Sequence, residues 1–147
     1  MSEVLDPAIA KLLRSFMEER IPFNTWLGIQ ATELSWGFAR LELPFRDELV
    51  GDPMRPALHG GVLSTLIDTA GGAAAFTQVK VPGDTLSTLD LRIDYLRPGE
   101  LKTLAAEGSV VRMGNRVASV NIRCFHPDEP DKDIATGKGV YSVRRAT

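Results

Sequence analysis

The sequence predicts an α+β fold: a curved antiparallel sheet of six strands wrapped around one long central helix, with a short helix at the N-terminus. Three observations predict it. In residues 59–76, an alanine-rich stretch, Asp68 is the only charged side chain before Lys80, as expected of a helix sunk in a core. The segments on either side alternate apolar and polar residues with a period of two, the mark of half-buried strands. A length of 147 residues is enough for one core and not for two.

Composition narrows the function. Hydrophobic residues make up 44% and charged residues 24%, ordinary for a globular chain, and a net charge of −2 argues against a nucleic-acid binder, which would be basic. Cys124 is the single cysteine, so no internal disulfide or cysteine-rich metal site forms, and the apolar run at 120–125 marks it as a buried thiol. Glu3 and Asp6 near the start do not suit a secretory signal, and no segment approaches the roughly 20 apolar residues of a membrane span. The expectation is a cytoplasmic protein with no nucleic-acid or membrane partner.

The elements follow in order. Asp6-Pro7, then Ile9, Leu12, Leu13, Phe16 and Met17, predict an amphipathic helix capped by the acid and ended before Pro22. Its expected place is a lid over one edge of the domain, with closure of a substrate tunnel as the lesser alternative. Residues 22–28 read as a turn into a strand at 29–34. Ser35-Trp36-Gly37 then turns the chain into a second strand, where Ala39, Leu41 and Leu43 alternate with Phe38, Arg40 and Glu42.

Residues 46–58, with Gly51, Pro53 and Pro56, read as irregular, and Lys80-Val81-Pro82-Gly83-Asp84 as the connection out of the long helix. Leu89, Leu91, Ile93 and Tyr95 alternate with Thr88, Asp90, Arg92 and Asp94, which places Thr88 on a polar face. Strands at 101–112 and 117–125 flank Met113-Gly114-Asn115, read as a hairpin turn whose residues tolerate positive φ. An acidic loop at 127–131 precedes the last strand, at 134–143. The whole is one domain over 1–147, with a helical segment at 1–22 and a core at 23–147. A single helix leaves sheet surface uncovered, so self-association is expected.

Within the central helix, Val62, Leu63, Leu66, Ile67, Ala70, Ala73 and Ala74 form one broad apolar stripe. Asp68 shares its own face with Gly61, Ser64, Thr65, Gly72 and Ala75, all small, so something approaches that face closely. From the residues alone, Asp68 is either a satisfied aspartate or a functional carboxylate.

His59-Gly60-Gly61, with an aspartate nine positions after the histidine in an alanine-rich helix, resembles the hotdog-fold acyl-CoA thioesterases of the PaaI-like (phenylacetate-pathway) group. The block at 88–98, with Thr88, Asp90, Asp94 and Pro98, looks like the strand that follows the helix in that group. The resemblance spans residues 23–144. It implies the hotdog fold and hydrolysis of an acyl- or aryl-CoA thioester with no metal or redox cofactor. It also implies homo-oligomers, dimers or dimers of dimers, with active sites at the dimer interface.

The resemblance also assigns roles. Asp68 matches the catalytic carboxylate, as general base or nucleophile. Gly60 matches the glycine whose N–H polarises the thioester carbonyl, and Gly61 beside it leaves the helix terminus open to substrate. His59 matches the motif histidine, which shapes the helix entry. Thr88 matches a hydroxyl residue that holds water or the aspartate of the facing subunit; read alone it is an ordinary β-branched strand residue.

One departure stands out: the group often has an asparagine six positions before the histidine, where this chain has Pro53; either the loop is rearranged and Asp52 beside it substitutes, or another residue takes this role. Arg97, Arg112 and Arg116 are candidates for the phosphates of coenzyme A. The alternative function is a non-catalytic acyl-CoA-binding module of the same fold.

Overall fold

A computed structural model of the protein describes residues 3–79 and 83–147. Helix α1 (Pro7–Ser15) runs into a π-helical turn (Phe16–Arg20) and then α2 (Pro22–Leu27). Strands β1 (Gln30–Ser35) and β2 (Phe38–Leu43) follow, then a 3₁₀ turn (Asp47–Leu49) and the short strands β3 (Val50–Asp52) and β4 (Ala57–Leu58). The long helix α3 (Gly60–Phe76) precedes β5 (Thr85–Tyr95), β6 (Leu104–Met113), β7 (Val117–Phe125) and β8 (Asp133–Arg144).

Six strands form one antiparallel sheet in the order β1-β2-β6-β7-β8-β5, and β3 and β4 pair separately. The expected sheet and central helix are therefore present. Lys80, Val81 and Pro82 of the expected connection lie outside the described residues.

The core lies between α3 and one face of the sheet. Leu63, Leu66, Ile67, Ala70, Ala73 and Ala74 pack against Ala39, Leu41, Leu43, Val120, Ile122 and Cys124. Full burial of each large aliphatic side chain contributes about 1.5–3 kcal/mol. Two strand glycines let the sheet close on the helix: a Cβ at Gly108 would sit 2.6 Å from the Ala70 carbonyl oxygen, and one at Gly137 2.7 Å from Ile67 Cγ2.

Three local expectations are corrected. Residues 22–27 are helical because Pro22 occupies the first position of α2, where the missing N–H costs nothing, and Gly28 ends the helix at φ 80°. The 46–58 stretch contains β3 and β4 rather than being wholly irregular. The 113–115 hairpin forms without positive φ; among the described residues only Gly28, Gly37 and Gly83 adopt it. On the outer face of the sheet, Arg40, Glu42, Glu107, Arg123 and Asp133 form a linked set of ion pairs, with both guanidiniums over the Phe125 ring.

The N-terminal segment covers the β1 edge. Arg14 Nε donates to the Ala31 carbonyl at 2.8 Å, and the Ala31 N–H donates to Glu18 Oε1 at 2.8 Å, so both edge groups of that residue are satisfied. At the other end of the sheet, β5 has no neighbouring strand beyond it among the described residues.

Candidate active site

α3 begins under a histidine cap. His59 Nδ1 accepts from the Gly61 N–H at 2.8 Å, which assigns the ring proton of the neutral form to Nε2. A Cβ on Gly61 would lie 2.8 Å from that nitrogen, so Gly61 makes room for the cap rather than for a ligand. Among the described residues the Gly60 N–H has no partner. It is therefore the open donor at the positive end of the helix. The Tyr95 hydroxyl donates to the Gly60 carbonyl at 3.3 Å.

Asp68 lies eight residues deeper, about 12 Å along the axis. Its position is held from behind by Tyr141, a fully buried residue whose hydroxyl donates to the Asp68 backbone carbonyl at 2.9 Å. Burial raises the Tyr141 phenol well above its ordinary range, so it stays a donor. Gly71 has no side chain to run into that hydroxyl.

Thr88 completes the constellation. Strict alternation would put it on the polar face with Asp90, but the β5–β8 ladder shifts between Thr88 and Asp90. Thr88 pairs with the inward-facing Tyr141, Asp90 with Val140, and Leu89 is looped out and 60% exposed. The bulge turns Thr88 toward α3, where its hydroxyl donates to Asp68 Oδ1 at 2.8 Å. Within the single chain, Thr88 thus holds its own Asp68. Asp68 Oδ2 has no partner among the described residues.

Asp68 and Thr88 open into a groove of about 410 Å³ that runs along α3 past Gly72 and Ala73 to Phe76. Its opposite wall is Leu86 and the N-terminal segment, with Met17, Ile21 and Asn24. The buried Asn24 amide donates to the Met17 carbonyl at 3.0 Å and ties that wall together. The N-terminal segment is therefore both an edge cover and a groove wall.

The remaining candidates are not gathered there. Asp52 caps its own turn, accepting from the Met54 and Arg55 N–H groups at 2.9 and 3.1 Å and pairing with Arg55. Arg97 follows β5 at the end where Tyr95 meets Gly60. Arg112 and Arg116 flank the β6–β7 turn at the opposite end of α3, about 25 Å away. Arg116 instead lines a hollow with Arg144 and Arg145, two residues the sequence did not single out. Asn24 and Tyr141 were also missed. His126, just after β7, is buried: it accepts from the Glu100 N–H at Nε2 and faces the Thr103 carbonyl at Nδ1.

The pattern of the thioesterase superfamily matches residues 56–131. The chain belongs to the thioesterase superfamily. The medium/long-chain acyl-CoA thioesterase YigI of Salmonella typhimurium is 32% identical over 156 residues, spanning 97% of this chain and 99% of that protein. YigI of Escherichia coli K12 is 31% identical over the same shares. Among solved structures, a Shewanella oneidensis protein related to the thioesterase superfamily superposes with a TM-score of 0.83 at 30% identity, covering 95% of this chain and 99% of that one. The E. coli PaaI protein gives 0.81 at 26% identity, over 94% and 95%. The hotdog fold and the thioesterase family read from the His59–Asp68 spacing are both borne out.

Proposed function

We propose that two copies of this thioesterase together hydrolyse acyl-CoA esters to the free acid and CoA. The observation that carries the shared site is the distance of about 12 Å between the Gly60 N–H and Asp68 on one helix. Both groups must reach one carbonyl carbon, and a single chain cannot bring them to it. A second copy supplying Gly60 opposite Asp68 removes the difficulty. The open β5 edge supports such pairing. A dimer is the minimum assembly, and pairing of dimers into a tetramer is the larger form we expect.

The chemistry follows from the two groups. The Gly60 N–H donates to the thioester oxygen and stabilises the developing oxyanion, a contribution of about 3–4 kcal/mol for such donors. Thr88 fixes Oδ1, which leaves Oδ2 to take a proton from water. The water oxygen bonds to the carbonyl carbon, and collapse of the tetrahedral intermediate breaks the C–S bond. CoA leaves as a thiolate, which then takes up a proton. The near full-length similarity to YigI and the apolar groove walls favour aliphatic acyl chains over aryl ones. We read the chain as one domain over 1–147. No helix among the described residues is long and apolar enough to cross a membrane.

The test is thiol release from alkyl- and aryl-CoA esters by wild type, Asp68→Asn and Gly60→Pro. Proline is tolerated at a first helical position and removes the N–H. Each variant alone should be inactive, and mixing the two should restore activity, because one site of each mixed dimer keeps both groups. No recovery on mixing would place both groups in one chain's site. The non-catalytic reading is favoured by Pro53 in place of the asparagine; acyl-CoA binding with no turnover by wild type would select it.

A further inference from the structure

The Asp68 groove is not closed by a continuous wall. At its far end stand Phe16 and Phe76, ring centroids 5.9 Å apart and planes at 27°. The same two rings line a second hollow of about 510 Å³ beyond them, walled by Ile9, Leu12, Leu13 and Val79. The stacked pair is thus a partition between two apolar spaces, of which only the inner one contains Asp68 and Thr88. The two rings come from different elements: Phe76 from the last turn of α3, Phe16 from the π-helical turn after α1. Phe16 is 42% exposed, so its ring can leave the stack without unpacking the core.

The inner groove follows one face of α3, with Met17, Ile21, Ala73 and Leu86 as its apolar walls. Asp68, Gly72 and Phe76 follow one another at four-residue spacing, one above the other on α3, so Phe76 stands about 12 Å from the carboxylate. Gly72 sits midway, within the helix, where glycine costs about 0.5–1 kcal/mol relative to alanine. A Cβ there would meet only Tyr141, at an ordinary 3.6 Å. No contact within the chain requires glycine at that point, and the missing side chain leaves the groove open there.

We propose that the Phe16–Phe76 stack sets acyl-chain length: the tail of a linear acyl group lies over Gly72 and ends against the two rings. This rests on the thioesterase reading above and adds to it the class of acyl group and the side chains that select it. A tail that stops at the rings fills the inner groove. A longer tail must displace Phe16 and enter the hollow walled by Ile9 and Leu12.

The experiment is a chain-length profile from butyryl to palmitoyl, measured on wild type, Phe16→Ala and Gly72→Val. It is read twice: as kcat/KM for CoA esters, and as binding of the corresponding free fatty acids. Phe16→Ala merges the two hollows and should move the optimum to longer chains, raising the palmitoyl-to-butyryl ratio about tenfold or more. Gly72→Val should move it to shorter chains. Unchanged fatty-acid profiles in both folded variants would overturn the proposal, whatever the hydrolysis shows. If no ester is hydrolysed by wild type but the binding profiles shift as stated, the chain-length assignment stands and the catalytic reading fails.

Discussion

The Thr88 hydroxyl reaches Asp68 Oδ1, 2.8 Å away, because Leu89 is looped out of the β5–β8 ladder. One extra residue in one strand converts a position on the polar face into a ligand of the carboxylate. The Asp68–Thr88 pair is thus a product of sheet irregularity as much as of residue identity.

Thr88→Ala should lower kcat roughly ten- to a hundredfold with KM little changed, since a hydrogen bond to a charged group is worth about 1.5–3 kcal/mol. Thr88→Ser, which keeps the hydroxyl, should retain most of the rate. Steady-state kinetics of the two variants beside wild type check this. Equal losses in both would mean the methyl group matters and the hydroxyl does not.

Tyr141→Phe removes the donor to the Asp68 carbonyl and should cost about 1 kcal/mol of stability. Gly71→Ala drives a methyl group into the Tyr141 hydroxyl and should cost about 1–3 kcal/mol. Because the two changes meet at one oxygen, the double variant should be more stable than the sum of the single losses predicts. Urea unfolding of the four proteins measures that coupling.

Asp84 is buried, and its carboxylate accepts from the Ala146 N–H at 2.7 Å and from Arg145 at 3.0 Å. The backbone bond to Ala146, with help from Arg145, holds its pKa below the ordinary carboxylate value. A lowered folded-state pKa means the stabilisation is fully present above the unfolded value, near 3.8, and is lost as pH falls through the folded one. Asp84→Asn should therefore melt below wild type at neutral pH, and the gap should narrow in acid below that value. Melting curves across pH test the sign.

Burial pushes the Cys124 thiol up to about 12, so it is neutral and unreactive at working pH. Native protein should not react with a disulfide reagent during a thiol-release assay, whereas unfolded protein should titrate as one thiol per chain. Fast labelling of the native form would show that β7 opens.

The central helix and the sheet strands were legible in the sequence because their burial repeats along the chain. The 59–76 stretch lacks surface charge, and residues 118–124 alternate without interruption. Thr88 was misplaced because a period of two carries no mark of where one residue is looped out. Tyr141 was missed because it is one inward position among several on β8. Its contact, with Asp68, lies 73 residues away. Pro22 was taken as a stop, although the same residue type opens a helix equally well. The arginines shared a charge and a plausible role, but only topology shows that Arg97 and Arg112 stand at opposite ends of the helix.

Arg14 and Glu18 occupy both backbone groups of Ala31 on β1, while the outer edge of β5, at the far side of the sheet, has no strand beside it among the described residues. A sheet with two free edges could grow without limit, chain upon chain, toward a fibre. Here one edge is already spent within the molecule. Joining through the other consumes it in both participants at once, so edge-to-edge growth terminates at two. In the dimer proposed above, the N-terminal helices thereby act as a stop on polymerisation, since Ala31 on the outer edge of β1 has no backbone group left to offer a further copy.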